Sequence, residues 1–201
     1  MKTLLLTGYE PFLKFKTNPT QSVVESLEGK TIGGYKIVGR IYPVVFGEIN
    51  SLIEKDIEDV EPDAIVSLGL ANGIKSIHLE RIAINTRDGR EDNSGFKPSG
   101  ERIYKDGADG LFSKLPLKRL EQALLDANIP TTISNSAGTY LCNNLMYSSL
   151  YYLNQKGLDI PAGFVHVPPS HEIGIAVGSA SWSQEDITKA IHILIENLQD
   201  T

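Results

Sequence analysis

The chain has 201 residues, of which 41% are hydrophobic and 22% charged, and its formal net charge is −6. That length can bury a sizeable core within one domain, while the acidic balance argues against general nucleic-acid binding, which needs a basic face. The single cysteine excludes an internal disulfide and a thiolate zinc site, and no apolar run approaches the ~20 residues of a membrane span.

Along the chain, Thr3–Thr7 reads as a buried first strand that stops at Gly8-Tyr-Glu-Pro-Phe12. Its apolar run is too short for a signal-peptide core. A loop through Asn18-Pro19 leads to a helix from Thr20 to Leu27. Gly33-Gly34 turns the chain into a strand over Tyr35–Val45, and a helix over Glu48–Val60 carries Ile49, Leu52, Ile53 and Ile57 on one stripe. Asp63–Leu68 is a buried strand ending in Gly69-Leu-Ala-Asn-Gly73, and the alternation in Ile77–Asn85 predicts one further strand. From Arg87 to Leu111 the chain is polar and without apolar period, the mark of a functional or mobile insert. A helix follows over Leu117–Ala127, then a short strand over Ile129–Ser134.

After Ser134 the chain runs through small residues (Ser136, Ala137, Gly138) to Cys142, where Leu145, Met146, Ser149, Leu150 and Leu153 mark one face of a helix. Ala162–Val167 is the last strand, closed by Pro168-Pro169. Ser183 caps a final amphipathic helix reaching Leu198. Alternating strands and helices predict a three-layer α/β/α sandwich with a twisted, mostly parallel sheet. No segment reads as an interdomain linker, so residues 1–201 are expected to form a single domain. In such sheets the active site lies outside the carboxyl ends of the strands. Gly8–Asn18, Gly69–Gly73, Ser134–Cys142 and His166–Ser170 are read as those ends.

A lone cysteine is often just a small buried hydrophobe. Cys142, however, sits in a polar loop at a helix start, where unpaired N–H groups favour a thiolate. A thiol nucleophile needs a base in reach. Of the four histidines, His192 reads as surface and His78 as structural or exposed. His166, near the end of an apolar strand, is the best base on position, with loop residue His171 second. Glu80 and Arg81 read as an exposed ion pair on a half-buried strand. Tyr147, Tyr151 and Tyr152 read as core or interface. No His/Cys/Asp cluster has metal-ligand spacing, and Gly69–Gly73 is not a phosphate or dinucleotide loop.

Taken together, Gly8-Tyr-Glu-Pro-Phe12 with Asn18-Pro19, Glu80-Arg-Ile-Ala-Ile-Asn85, Ser134-Asn-Ser-Ala-Gly-Thr-Tyr-Leu-Cys142-Asn-Asn and Phe164-Val-His166-Val-Pro168 resemble the pyroglutamyl peptidase I (pyrrolidone-carboxylate peptidase) family, in its order and spacing. The resemblance implies a cysteine peptidase, without metal or cofactor, that removes N-terminal pyroglutamate from peptides. It assigns Cys142 as nucleophile, His166 as base and then acid, and Glu80 as the group orienting His166, against the ion-pair reading of Glu80. It places Tyr9, Phe12, Asn18, Leu70, Tyr140 and Leu141 in the substrate pocket and makes Arg90 a helper for the developing charge. It also implies a homo-oligomer, dimer or tetramer. A cytoplasmic location fits the free thiol. The chain departs from the family pattern at Tyr9, Leu13, Leu70 and Ile74, and the stretch from Pro168 to Glu172 is also less typical. These departures leave two alternatives: a catalytically weak homologue that binds peptide N-termini, or another amidase or phosphorylase-like enzyme on the same fold.

Overall fold

The computed structural model describes residues 1–12 and 15–199, so Leu13 lies outside the described residues. In chain order the elements are β1 (Lys2–Tyr9), α1 (Pro19–Leu27), β2 (Thr31–Ile32), β3 (Tyr35–Tyr42), α2 (Phe46–Val60), β4 (Ala64–Leu70), β5 (Ile77–Glu80), β6 (Ile82–Ile84), β7 (Arg87–Asp88), β8 (Ser99–Glu101), β9 (Gly110–Phe112), α3 (Leu117–Asp126), β10 (Thr131–Ser134), α4 (Leu141–Gln155), β11 (Ala162–Val167), α5 (His171–Val177) and α6 (Gln184–Glu196).

The central sheet has the order β10-β5-β11-β4-β1-β3-β2. Strands β3, β1, β4 and β11 form a parallel block. These strands are apolar on both faces because helices cover both faces. Leu4 and Leu6 of β1 meet α1, α3 and α6 on one side. Leu5 and Tyr9 meet α2 and α4 on the other. The result is the expected three-layer α/β/α architecture with a mostly parallel sheet.

Three details differ from the sequence expectation. Ile77–Asn85 is not one strand. It breaks at Arg81, so β5 joins the central sheet while β6 pairs with β9 in a separate ribbon. Strand β5 is antiparallel to β11, and β10 follows β5. Ser134 therefore does not end a strand of the parallel block, and residues 135–140 must turn back towards that block's carboxyl edge. Alternation of apolar residues carries no information on strand direction. Finally, His171 is not in a loop but opens α5, behind Ser170.

The polar stretch from Arg87 holds β7 paired with β8, and near its end β9 pairs back to β6. It lacks an apolar period because side chains satisfy much of its backbone. Asn85 accepts from the N–H groups of Ile103 and Tyr104 and donates to the carbonyls of Tyr104 and Gly107. Asp92 accepts from the N–H groups of Phe46, Ser94 and Phe96.

Candidate active site

His166 lies one residue from the end of β11, paired in register with Gly69 of β4. Its side chain points to the α4 face, as do those of Phe164 and Glu80. Its Nδ1 is 2.7 Å from Glu80 Oε1, and Glu80 is buried. A carboxylate can only accept, so Nδ1 carries the proton and Nε2 faces away from Glu80. The Cys142 sulfur faces the same ring and favours its charged form. Cys142 is the second residue of α4, where the first amides of a helix have no intrahelical partner. Close approach of sulfur to sheet requires glycine at position 69. A Cβ there would lie 2.7 Å from Cys142 Sγ and 2.7 Å from the Phe164 ring.

Burial of His166 works against a charged ring. The Cys142 sulfur and the Glu80 carboxylate outweigh it, and the imidazole is pushed up to about 10. The imidazolium is thus the favoured form at neutral pH, and it faces a sulfur at a helix N-terminus. Glu80, read from pattern alone as half of an exposed ion pair with Arg81, is instead buried against His166. Arg81 turns outward to Asn135.

Beside the sulfur opens a cavity of about 310 Å³ lined by Tyr9, Phe12, Phe15, Thr17, Asn18, Val44, Leu70, Asn72, Arg90, Tyr140, Leu141 and Cys142. The six residues expected in the pocket line it, and so does Arg90. Its walls are aromatic. Phe12 and Tyr140 lie 5.5 Å apart, and Phe46 meets Tyr140 edge-on at 5.1 Å. Three of its polar side chains, those of Tyr9, Asn18 and Tyr140, are already committed. The Tyr9 hydroxyl donates to the Leu141 carbonyl at 2.9 Å and that of Tyr140 to the Glu91 carbonyl at 3.0 Å. Asn18 donates to the Glu10 carbonyl and accepts from the N–H and hydroxyl of Thr20. Asn18 therefore lines the cavity chiefly as the N-cap of α1. Burial, then the nearby Cys142 sulfur, raises the Tyr9 phenol. Burial and Asp92 push Tyr140 up to about 12 against the opposing Arg90. The walls stay neutral at neutral pH. Arg90 is exposed and is the cationic group of the lining.

Sequence reasoning missed Phe15, Thr17, Val44 and Asn72 in the lining. Val44 and Asn72 follow β3 and β4, and strand ends in this architecture were a usable signal. Ile74 is not among the lining residues.

A family model described as "Pyroglutamyl peptidase" matches residues 1–201. A pyrrolidone-carboxylate peptidase of Oceanobacillus iheyensis is 46% identical over 195 residues, covering 97% of this chain and 98% of that protein. Among solved structures, the pyroglutamyl peptidase I of Bacillus amyloliquefaciens superposes with a TM-score of 0.95 at 33% identity, covering 98% of this chain and 97% of that one. The pyrrolidone carboxyl peptidase of Thermococcus litoralis does so with a TM-score of 0.94 at 35% identity, covering 98% and 93%.

Proposed function

The chain belongs to the pyroglutamyl peptidase family, its activity is the removal of N-terminal pyroglutamate from peptides, and we propose that Cys142, His166 and Glu80 carry out that hydrolysis. The observation that carries the assignment is the buried His166 ring held between Glu80, at 2.7 Å, and the Cys142 sulfur, beside a neutral aromatic cavity.

The chemistry is acyl transfer. The Cys142 thiolate attacks the carbonyl that joins pyroglutamate to the next residue. The oxyanion forms at the start of α4, where free amides and the helix dipole favour negative charge. His166 passes its proton to the departing amine, the C–N bond breaks, and a thioester remains. Neutral His166 then takes a proton from water, which attacks the thioester and releases pyroglutamate. Glu80 keeps the imidazole oriented and stabilises its charged form throughout. Pyroglutamate is a flat, neutral lactam, so aromatic walls with neutral phenols suit it. Tyr9, Phe12, Asn18, Leu70, Tyr140 and Leu141 shape that receptor, and Arg90 stands at its edge as a cation near the developing charge.

The reading extends to a cytoplasmic homo-oligomer. Among the described residues no helix is long and apolar enough to cross a membrane. The free thiol suits a reducing compartment, and exposed Ile84 and Phe112 on the β6–β9 ribbon supply an apolar patch for a second copy.

The test is hydrolysis of a chromogenic pyroglutamyl amide by the wild type, Cys142→Ser and His166→Ala, each checked for folding by circular dichroism. Loss of turnover in both folded variants supports the assignment. Full activity in Cys142→Ser would remove the nucleophile from it.

A further inference from the structure

The start of α4 has two opposed requirements. Its first amides must stay free to meet an oxyanion, and its first turn must hold the Cys142 sulfur steadily against His166. The usual anchor of a helix start is a Ser, Thr, Asp or Asn cap, whose oxygen consumes those amides. Here the N-cap position is Tyr140, which makes no side-chain cap bond, and the first turn contains no acidic residue.

The anchor comes from the side. Asn143, adjacent to Cys142, is fully buried. Its Oδ1 accepts from the Ile84 N–H at 2.8 Å, and its Nδ2 donates to the carbonyls of Ile84 at 2.8 Å and Thr86 at 2.9 Å. Both amide hydrogens are used, and all three bonds run to one segment. That segment is β6 and its continuation, which starts two residues after Glu80 and leads on to Arg90 at the cavity. More exposed ties lie beside it. The Asp88 N–H donates to the Thr139 carbonyl at 2.8 Å, and the Thr139 hydroxyl donates to the Asp88 carbonyl at 3.2 Å. Asn143 is the buried member of this seam.

We propose that Asn143 is a positioning residue for the hydrolysis. It locks the helix turn that carries Cys142 to the strand that continues from Glu80, and so fixes sulfur against imidazole without occupying the amides of α4. This rests on the assignment of Cys142 and His166 above.

Two substitutions test it. Asn143→Ala removes all three bonds. Asn143→Asp is nearly isosteric and keeps the acceptor for Ile84, but sets an oxygen against two carbonyls. In the folded enzymes kcat falls about 100-fold while KM stays within about threefold, because a misplaced nucleophile loses transition-state stabilisation rather than substrate binding. Cys142 is the only cysteine, so its rate of alkylation by iodoacetamide against pH reads its environment alone. The midpoint of that profile shifts in both variants. The proposal is overturned if the variants melt earlier but the folded protein keeps the wild-type kcat and alkylation profile. It is overturned too if neither variant folds, since Asn143 then serves the fold and not the reaction. Failure of the underlying assignment is seen separately, as wild-type enzyme that iodoacetamide does not inactivate.

Discussion

The wall of the cavity at Cys142 is backed by His166 and Glu80, from α4, β11 and β5, whereas the facing wall, with Phe12, Phe15, Thr17 and Asn18, lies between β1 and α1. On the first wall the side chains are fixed by strand register, by glycine at position 69 and by buried hydrogen bonds. On the second, aromatic rings from different segments meet, as Phe12 does with Tyr140 at 5.5 Å. The difference follows from the tasks. Acyl transfer needs the sulfur and the base held to within a fraction of an ångström. Recognition of a small flat lactam needs apolar area and exclusion of water, which loops supply on a rigid scaffold.

On that division, substitutions on the chemical wall change kcat and those on the loop wall change KM. The largest effect is expected for Cys142→Ala, where turnover of a pyroglutamyl amide falls by on the order of 10⁴-fold or more, because no other group can form the acyl intermediate. A smaller residual effect in steady-state assays would break the comparison at its strongest point.

Next comes Glu80→Gln, which keeps shape and removes charge. A drop of roughly 10²- to 10⁴-fold in kcat is expected, as for loss of the orienting carboxylate in other triads. The pH dependence sharpens this. Burial lowers His166, while Cys142 and Glu80 raise it to about 10. Wild-type activity should therefore persist into the alkaline range and fall as the imidazolium is lost towards that value. Without the Glu80 charge, burial counts for more, so the alkaline fall moves to lower pH. The sign for stability is the same. A folded-state value above the ordinary 6.5 means that the pair's contribution is complete below about 6.5 and is lost as pH rises towards about 10. The difference in Tm between wild type and Glu80→Gln should shrink across that window. A constant difference would show that Glu80 acts on shape alone.

The sequence made the two walls unequally legible. Strand β11 spans Ala162–Val167 as its apolar run predicts, and Ser183 caps α6 by accepting from the Asp186 N–H. Cys142 at a helix start was visible because the apolar period begins just after it. Glu80 was not visible from pattern. Its alternating neighbours continue unbroken through Arg81 into Ile82 and Ile84, so nothing local marks the switch from the central sheet to the β6–β9 ribbon. What buries Glu80 is β11, 86 residues away in sequence. Only the family resemblance singled it out. On the loop wall, Phe12 and Tyr140 are brought together by packing, not by local spacing. Asn18 shows the converse. Its capping of α1 is a local event that a helix-start rule can find, and its place in the cavity wall is not.

On the loop wall, Phe12→Ala should raise KM for a pyroglutamyl amide about tenfold with kcat within about threefold, since a lost aromatic wall costs on the order of 1–1.5 kcal/mol of binding beyond its neighbours. A fall in kcat larger than the rise in KM would mean that the ring also aligns the scissile carbonyl.

The smallest effect is expected where the two walls touch. Tyr9 is buried at the end of β1, and its hydroxyl donates to the carbonyl of Leu141, the first residue of the nucleophile helix. It is the direct hydrogen bond from the loop-bearing strand to α4. Tyr9→Phe keeps the ring and removes only that bond. Phenylalanine is also the residue that the resemblance leads one to expect at this position, so the ring itself is compatible with the pocket. The Leu141 carbonyl keeps the intrahelical bond that its position in α4 provides, which limits the penalty to about 1 kcal/mol of stability. Turnover should then change by no more than about threefold, because Cys142 remains held from its other side by the buried bonds of Asn143. Measured by chemical denaturation and by kcat, a loss of activity as large as that of Asn143→Ala would place the anchor of α4 on the Tyr9 side instead.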